Sequence, residues 1–171
     1  GINYAGYVIH SAIHGARHDL QAVLHTHTRD GIAVSAQKDG LLPISQHAIA
    51  FSGRVAYHGY EGVALDLDER ERLVADLGDK SVMILRNHGL LTAGVSVEHA
   101  FQQLQGLERA CTIQIAAQAG GNAQLIFPPA DVVAKVEEQA KVFSNGEGPG
   151  VARHWNALIR QLERTDTDYK N

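Results

Sequence analysis

Two apolar runs in this chain end in histidines. Ala22-Val23-Leu24 leads into His25-Thr26-His27, and Val82-Met83-Ile84-Leu85 runs up to Asn87-His88-Gly89. Short apolar runs of this kind, closed by turn residues, are expected as buried strands. A buried strand that stops in histidines presents imidazoles at a sheet edge, where a cleft can form. In extended chain, residues i and i+2 point to the same side, so His25 and His27 share a face. His88, from another strand end, would add a third nitrogen. Three protein ligands with an open fourth position is the pattern of a catalytic rather than a structural zinc site.

The rest of the composition narrows the setting. A chain of 171 residues is the size of one domain, so residues 1–171 are expected as a single unit. At 44% hydrophobic and 20% charged it has an ordinary globular composition with enough apolar mass for a core. The net charge of -4 offers no basic face for nucleic acid. Its apolar runs fall far short of the ~20 residues that cross a bilayer. No signal-peptide pattern opens the chain, so a cytoplasmic protein without membrane association is expected. The single cysteine, Cys111, excludes an internal disulfide and fits a reducing compartment. It lies in a helical stretch and reads as a small core residue rather than a nucleophile.

Local patterns outline the elements. Helical spacing of Val8, Ile9, Ala12, Ile13 and Ala16 predicts a helix over 7–17, followed by a strand ending near Leu24. A short helix is expected over 30–36, a turn at Lys38-Asp39-Gly40, and a helix over 45–51 with Ser45 as N-cap. Leu41 to Ile44 is too short to assign. Arg54 to His58 fits a strand. Asp66 to Leu77 is an amphipathic helix that Asp66 can cap and Gly78 stops. Ser81 to Asn87 and Leu90 to Ala93 read as two strands of a hairpin through Gly89. The longest helix, 97–119, carries a stripe that includes Ala100, Leu104, Leu107, Cys111 and Ile115, and Gly120-Gly121 ends it. Two further helices, 130–143 and 151–164, flank a glycine-rich link. Short strands interleaved with helices make a layered α/β domain.

Taken in order along residues 3–120, several segments resemble the class II aldolase and adducin family, in its adducin-like bacterial branch. They are His25-Thr26-His27, Asn87-His88-Gly89 with Leu90-Leu91-Thr92, and the long helix with Leu107-Glu108-Arg109-Ala110. The resemblance implies a three-layer α/β/α sandwich around a mostly antiparallel sheet. It implies a divalent metal, zinc in most members, on His25, His27 and His88. It also implies a cyclic homotetramer with sites between subunits and a small-molecule substrate. Members cleave or form C–C bonds beside a carbonyl, epimerise by a related cleavage, or decarboxylate. Adducins are cytoskeletal proteins with no known chemistry in this domain.

Two departures stand out. The aldolases carry an acidic residue ahead of the first ligand histidine, and the corresponding position here is Gly6; no carboxylate occurs from Gly1 to Arg17. The family's anion-binding loops come earlier than anything in this chain, and the chain opens on Gly1 rather than methionine. The domain is therefore expected to be N-terminally incomplete.

Breaking a C–C bond beside a carbonyl leaves an enolate, whose charge a Lewis-acidic cation spreads. Neutral imidazoles leave that cation its full charge. Decarboxylation needs only the stabilised enolate and a later protonation, so it tolerates the missing carboxylate better than aldol cleavage does. The expectation is a metal-dependent lyase of the aldolase or decarboxylase type. The alternative is a non-catalytic, adducin-like interaction domain. Around this centre, His47 stands near where aldolases carry a tyrosine beside the cleft, and is equally an ordinary helix residue. His10, His14 and His18 share a helix face by spacing, either as a proton carrier or as surface residues. Arg29-Asp30 could touch substrate or simply start a helix. Glu61 and Asp66 to Glu71 read as loop and solvated helix face. Tyr169 lies in a polar tail.

Overall fold

The structure, a computed structural model, describes residues 4–62, 68–144 and 149–170. A four-stranded sheet with the spatial order β1-β4-β3-β2 lies between two helical layers. β1 (Ala22–Thr26) pairs antiparallel with β4 (Gly89–Gly94), and β4 pairs antiparallel with β3 (Val82–Leu85). β3 pairs parallel with β2 (Val55–His58). The sheet is thus mixed rather than mostly antiparallel. The reason is the connection: β2 returns to the same end of the sheet through helix α4 (Glu69–Leu77), and such a crossover makes neighbours parallel.

The three layers follow from alternation along β3. Met83 and Leu85 point to one face, where α1 (Tyr4–Ala16) and α4 bury Val8, Ile9, Ile13, Leu73 and Leu77. Val82 and Ile84 point to the other, against Val34 of α2 (Arg29–Ser35) and Leu104, Leu107 and Cys111 of α5 (Val97–Gln118). A strand buried on both sides reads as an unbroken apolar run, which is why its sequence shows no alternation. Among the described residues, three further α-helices are α3 (Gln46–Ile49), α6 (Ala130–Ser144) and α7 (Pro149–Thr165). α7 leans on α5 through Trp155, set edge-on to Phe101 with ring centroids 5.6 Å apart.

The expected cap at Ser45 is present: its hydroxyl accepts from the Ala48 N–H. At the start of α5 the structure adds a cap that was not expected, the Ser96 hydroxyl accepting from the His99 N–H. Gly78 ends α4 with a φ of 57°. α4 itself begins at Glu69, with Asp68 at the N-cap position, and Asp66 lies outside the described residues. Leu41 to Ile44 is not a strand. Its backbone is served from a distance: Leu42 N–H donates to the fully buried Gln114 amide at 2.7 Å, and Leu41 N–H donates to the Tyr57 hydroxyl at 3.1 Å.

Candidate metal centre

The His-Thr-His segment sits where β1 ends and α2 begins. Alternation sends Val23 and His25 toward the α1 face and Leu24 and Thr26 toward the α5 face. On that second side a single carboxylate clamps the strand end. Glu108 of α5 accepts from the Thr26 hydroxyl at 2.7 Å and from the Thr28 hydroxyl at 2.6 Å. Thr28 also caps α2, accepting from the Gly31 N–H. The two threonines that flank His27 are therefore tied to one anchor, which sets the direction in which His27 leaves the backbone.

His88 arrives from the β3–β4 turn, closed by its own N–H to the Leu85 carbonyl at 3.1 Å. Asn87 adopts a φ of 54°, a left-handed conformation that asparagine tolerates better than most residues. Gly89 packs so close to β1 that a Cβ there would lie 2.2 Å from the Thr26 carbonyl oxygen and 3.3 Å from the His27 ring. Asn-His-Gly is thus a histidine held between two backbone requirements.

The three rings converge. His25 Nε2 lies 2.7 Å from His27 Nε2 and 3.3 Å from His88 Nε2. Ring centroids are 4.6 to 4.8 Å apart. Imidazole nitrogens at ~2.1 Å from a shared tetrahedral cation stand ~3.4 Å from each other. The 25–88 spacing matches that value, and the 25–27 pair needs only a small opening. His25 Nδ1 lies 2.8 Å from the Leu90 carbonyl oxygen. A carbonyl only accepts, so Nδ1 carries the proton and the Nε2 lone pair faces the other rings. The donor set and its orientation therefore fit a divalent cation. Among the described residues, this is the one group of three or more His, Cys, Asp or Glu side chains close enough to share an ion. His27 is exposed, so the cluster is open to solvent on one side.

Burial pushes the His25 imidazole down to about 4, against the raising effect of its bond to Leu90; the neighbouring His88, His27 and His10 act in the same direction as burial. Burial also lowers His88, helped by the charges of His27 and His58. Neutral imidazole is the ligand form. The folded value for His25 lies below the unfolded 6.5, so the unfolded chain binds the proton more readily in that interval. The metal-free protein should lose stability as pH falls from about 6.5 to about 4, with His25→Asn flattening that loss; chemical denaturation across this range checks it.

Glu108 belongs to the segment of the long helix that carries the family resemblance, and the fold brings it to the strand end beside the histidines. Glu108→Gln keeps one acceptor but loses the charge that both hydroxyls share. It should weaken cation affinity by about tenfold and destabilise the fold by ~1–2 kcal/mol, read by metal titration and denaturant unfolding.

The other candidates scatter. His10 is partly buried on α1 and close enough for its charge to act on His25. His14 is exposed, and His18 lies beyond the end of α1, so the three do not form one helix face. His47 is not beside the centre. It lines a separate cavity with Arg54 and His99. Glu69 is not solvated: it is buried against His58, whose Nε2 lies 3.5 Å from it while Nδ1 meets Asp76 at 2.7 Å. Glu61 pairs with Arg72, and Asp30 pairs with Arg29 and accepts from Thr112. Cys111 is fully buried, and burial pushes its thiol up to about 12, which suits a core residue. Tyr169 is exposed in a short 3-10 turn. Tyr60 went unnoticed in the sequence. Its half-exposed ring stands edge-on to His88, with centroids 6.4 Å apart, and brings a phenol to the rim of the cluster.

A three-layer α/β/α domain with an open three-imidazole cluster at one sheet end defines the class of protein. The model of the class II aldolase and adducin N-terminal domain matches residues 1–115, and the chain belongs to this family. An aldolase II superfamily protein from Pseudomonas syringae, known as a crystal structure, is 84% identical with a TM-score of 0.95. The match covers 100% of this chain and 67% of that one. L-fuculose 1-phosphate aldolase from Glaciozyma antarctica superposes with a TM-score of 0.75 at 28% identity, over 95% of this chain and 61% of that one. Rat alpha-adducin is 44% identical over 174 residues, 95% of this chain and 23% of its own length. The chain spans 65% of a Pseudomonas aeruginosa protein named after the class 2 aldolases, 48% identical over 170 residues. Among the described residues no helix is long and apolar enough to cross a membrane.

Proposed function

We propose that this chain is the metal-binding domain of a class II aldolase-type lyase. It would hold a divalent cation, zinc by preference, on His25, His27 and His88. The substrate would be a small oxygenated carbonyl compound or oxo acid. The observation that carries this reading is the convergence of three Nε2 atoms on one point with one side open to solvent. A scaffold has no use for an open coordination position, whereas a catalytic centre requires one. When bound, the cation supplies Lewis-acid stabilisation of an enolate.

The chain's own residues do the rest. His25 stays neutral through burial and keeps its proton on Nδ1 by donating to Leu90. Glu108 holds His27 in register through Thr26 and Thr28. Tyr60 offers a phenolic proton at the rim. With glycine at position 6 and no carboxylate from residue 1 to 17, decarboxylation is the variant these residues serve best. Similarity to fuculose-phosphate aldolase at 28% identity supports the aldol variant. We read residues 1–171 as one domain of a homotetramer, with the cytoplasm as its compartment, in keeping with the family and with the lone buried cysteine.

A panel of oxo acids and sugar phosphates, assayed with zinc and after chelation, tests both variants. Zinc-dependent turnover of any member is expected, and none across the panel would defeat them. Elemental analysis of the isolated protein identifies the ion. The competing reading, an interaction domain without chemistry, draws on the 44% identity to rat alpha-adducin and on Gly6.

A further inference from the structure

At the other pole of the sheet, where β2 begins and β4 ends, a cavity of about 240 Å3 opens between α3, α5 and α6. Arg54, which precedes β2, reaches into it beside His47, His99, Gln102 and Gln103, with Phe51 as an apolar wall. The histidine cluster lies at the far ends of these strands. Four strand residues, roughly 13 Å at ~3.3 Å each, separate Arg54 from that end of β2.

The cavity lining contains no carboxylate. The Arg54 guanidinium is partly buried, and both of its hydrogen-bond acceptors are neutral. It donates to the Ala50 carbonyl at 3.0 Å and to the Gln103 side chain at 3.1 Å. Gln103 is fixed in turn, accepting from the Ser81 hydroxyl and donating to the Ala93 carbonyl. Among the described residues no ion pair balances Arg54. Burial lowers its pKa and no neighbouring charge offsets that effect. A guanidinium remains protonated regardless, and it has five N–H donors in a planar fork suited to oxyanions. A chain with a net charge of -4 that leaves a sheltered cation without a carboxylate, in a largely apolar cavity that also takes the His47 imidazole and the Gln102 and Gln103 amides, has the makings of an anion site.

We infer that this cavity binds a small phosphate group through Arg54, with His47, Gln102 and Gln103 supplying further hydrogen bonds. It is distinct from the proposed cation centre and independent of it. The size suits inorganic phosphate or the phosphoryl end of a small ester.

The test is calorimetric titration of the full chain with inorganic phosphate, at ionic strength held constant with chloride. Saturable binding in the millimolar range or tighter is expected, with a rise in the thermal midpoint. Arg54→Gln should weaken it at least tenfold. Gln102→Glu, which places a like charge in the cavity with little change of volume, should do the same. His47→Ala, at an exposed position, should weaken it several-fold. Should Arg54→Gln fail to fold, the other two variants decide. His88→Ala should leave phosphate binding unchanged. Absence of saturable binding would overturn the inference, as would wild-type affinity in both charge variants. Loss of binding in His88→Ala would overturn it too, since phosphate would then sit at the imidazole cluster.

Discussion

Replacing His27 with alanine should cost the protein its cation and its turnover while leaving the fold intact. His27 is exposed and contributes no core packing, so the change in unfolding free energy should stay within about 0.5 kcal/mol. Loss of one of three ligands is a larger insult than loss of a supporting partner, which typically costs 10–100-fold in affinity. Cation affinity should therefore fall by about a hundredfold or more, measured by competition with a chromogenic chelator. The same variant separates the two functional readings. As a lyase, the protein should lose activity together with the ion. As an interaction domain, it should keep partner binding unchanged. Retention of wild-type cation affinity would remove His27 from the ligand set and with it the catalytic reading.

Gly89→Ala should be the most destabilising single methyl group that can be added near the site. The new Cβ would lie 2.2 Å from the Thr26 carbonyl oxygen, which is backbone and cannot swing aside. Relief requires β1 and β4 to part where Thr26 faces Leu90. Overpacking usually costs ~1–3 kcal/mol, and a clash with a paired strand belongs at or above the top of that range, so about 3 kcal/mol or more is expected. Denaturant unfolding measures it. Because the same shift moves Thr26 and the His27 ring, cation affinity should fall together with stability. A cost under about 1 kcal/mol would show that the β1–β4 pair has more room than its geometry indicates.

Much of this architecture was legible in the chain. The four segments read as strands hold the four strands of the sheet. For β3 and β4 the reason is plain: they are buried along their whole length, and a short apolar segment buried on both faces has few other options. The hairpin through Gly89 and the cap at Ser45 also emerged, since turn and cap chemistry is local. What was not legible was non-local. The parallel β2–β3 pair depends on which edge α4 returns to, and no residue in either strand encodes that. Glu69 and Asp76 look like ordinary charges on an amphipathic helix until β2 brings His58 between them. The family resemblance sets His47 near a cleft, yet its helix packs at the opposite pole.

Neighbouring residues alone specify the two histidines that share a face and the turn that presents the third. Period-two alternation and the turn residues that close a strand are properties of neighbouring residues. That these imidazoles meet, that Leu90 orients His25, and that Glu108, some eighty residues away, anchors the strand between them follows from the packed fold. Such contacts join elements far apart in the chain. They form only once two hydrophobic cores, one on each side of the sheet, have set where every strand ends.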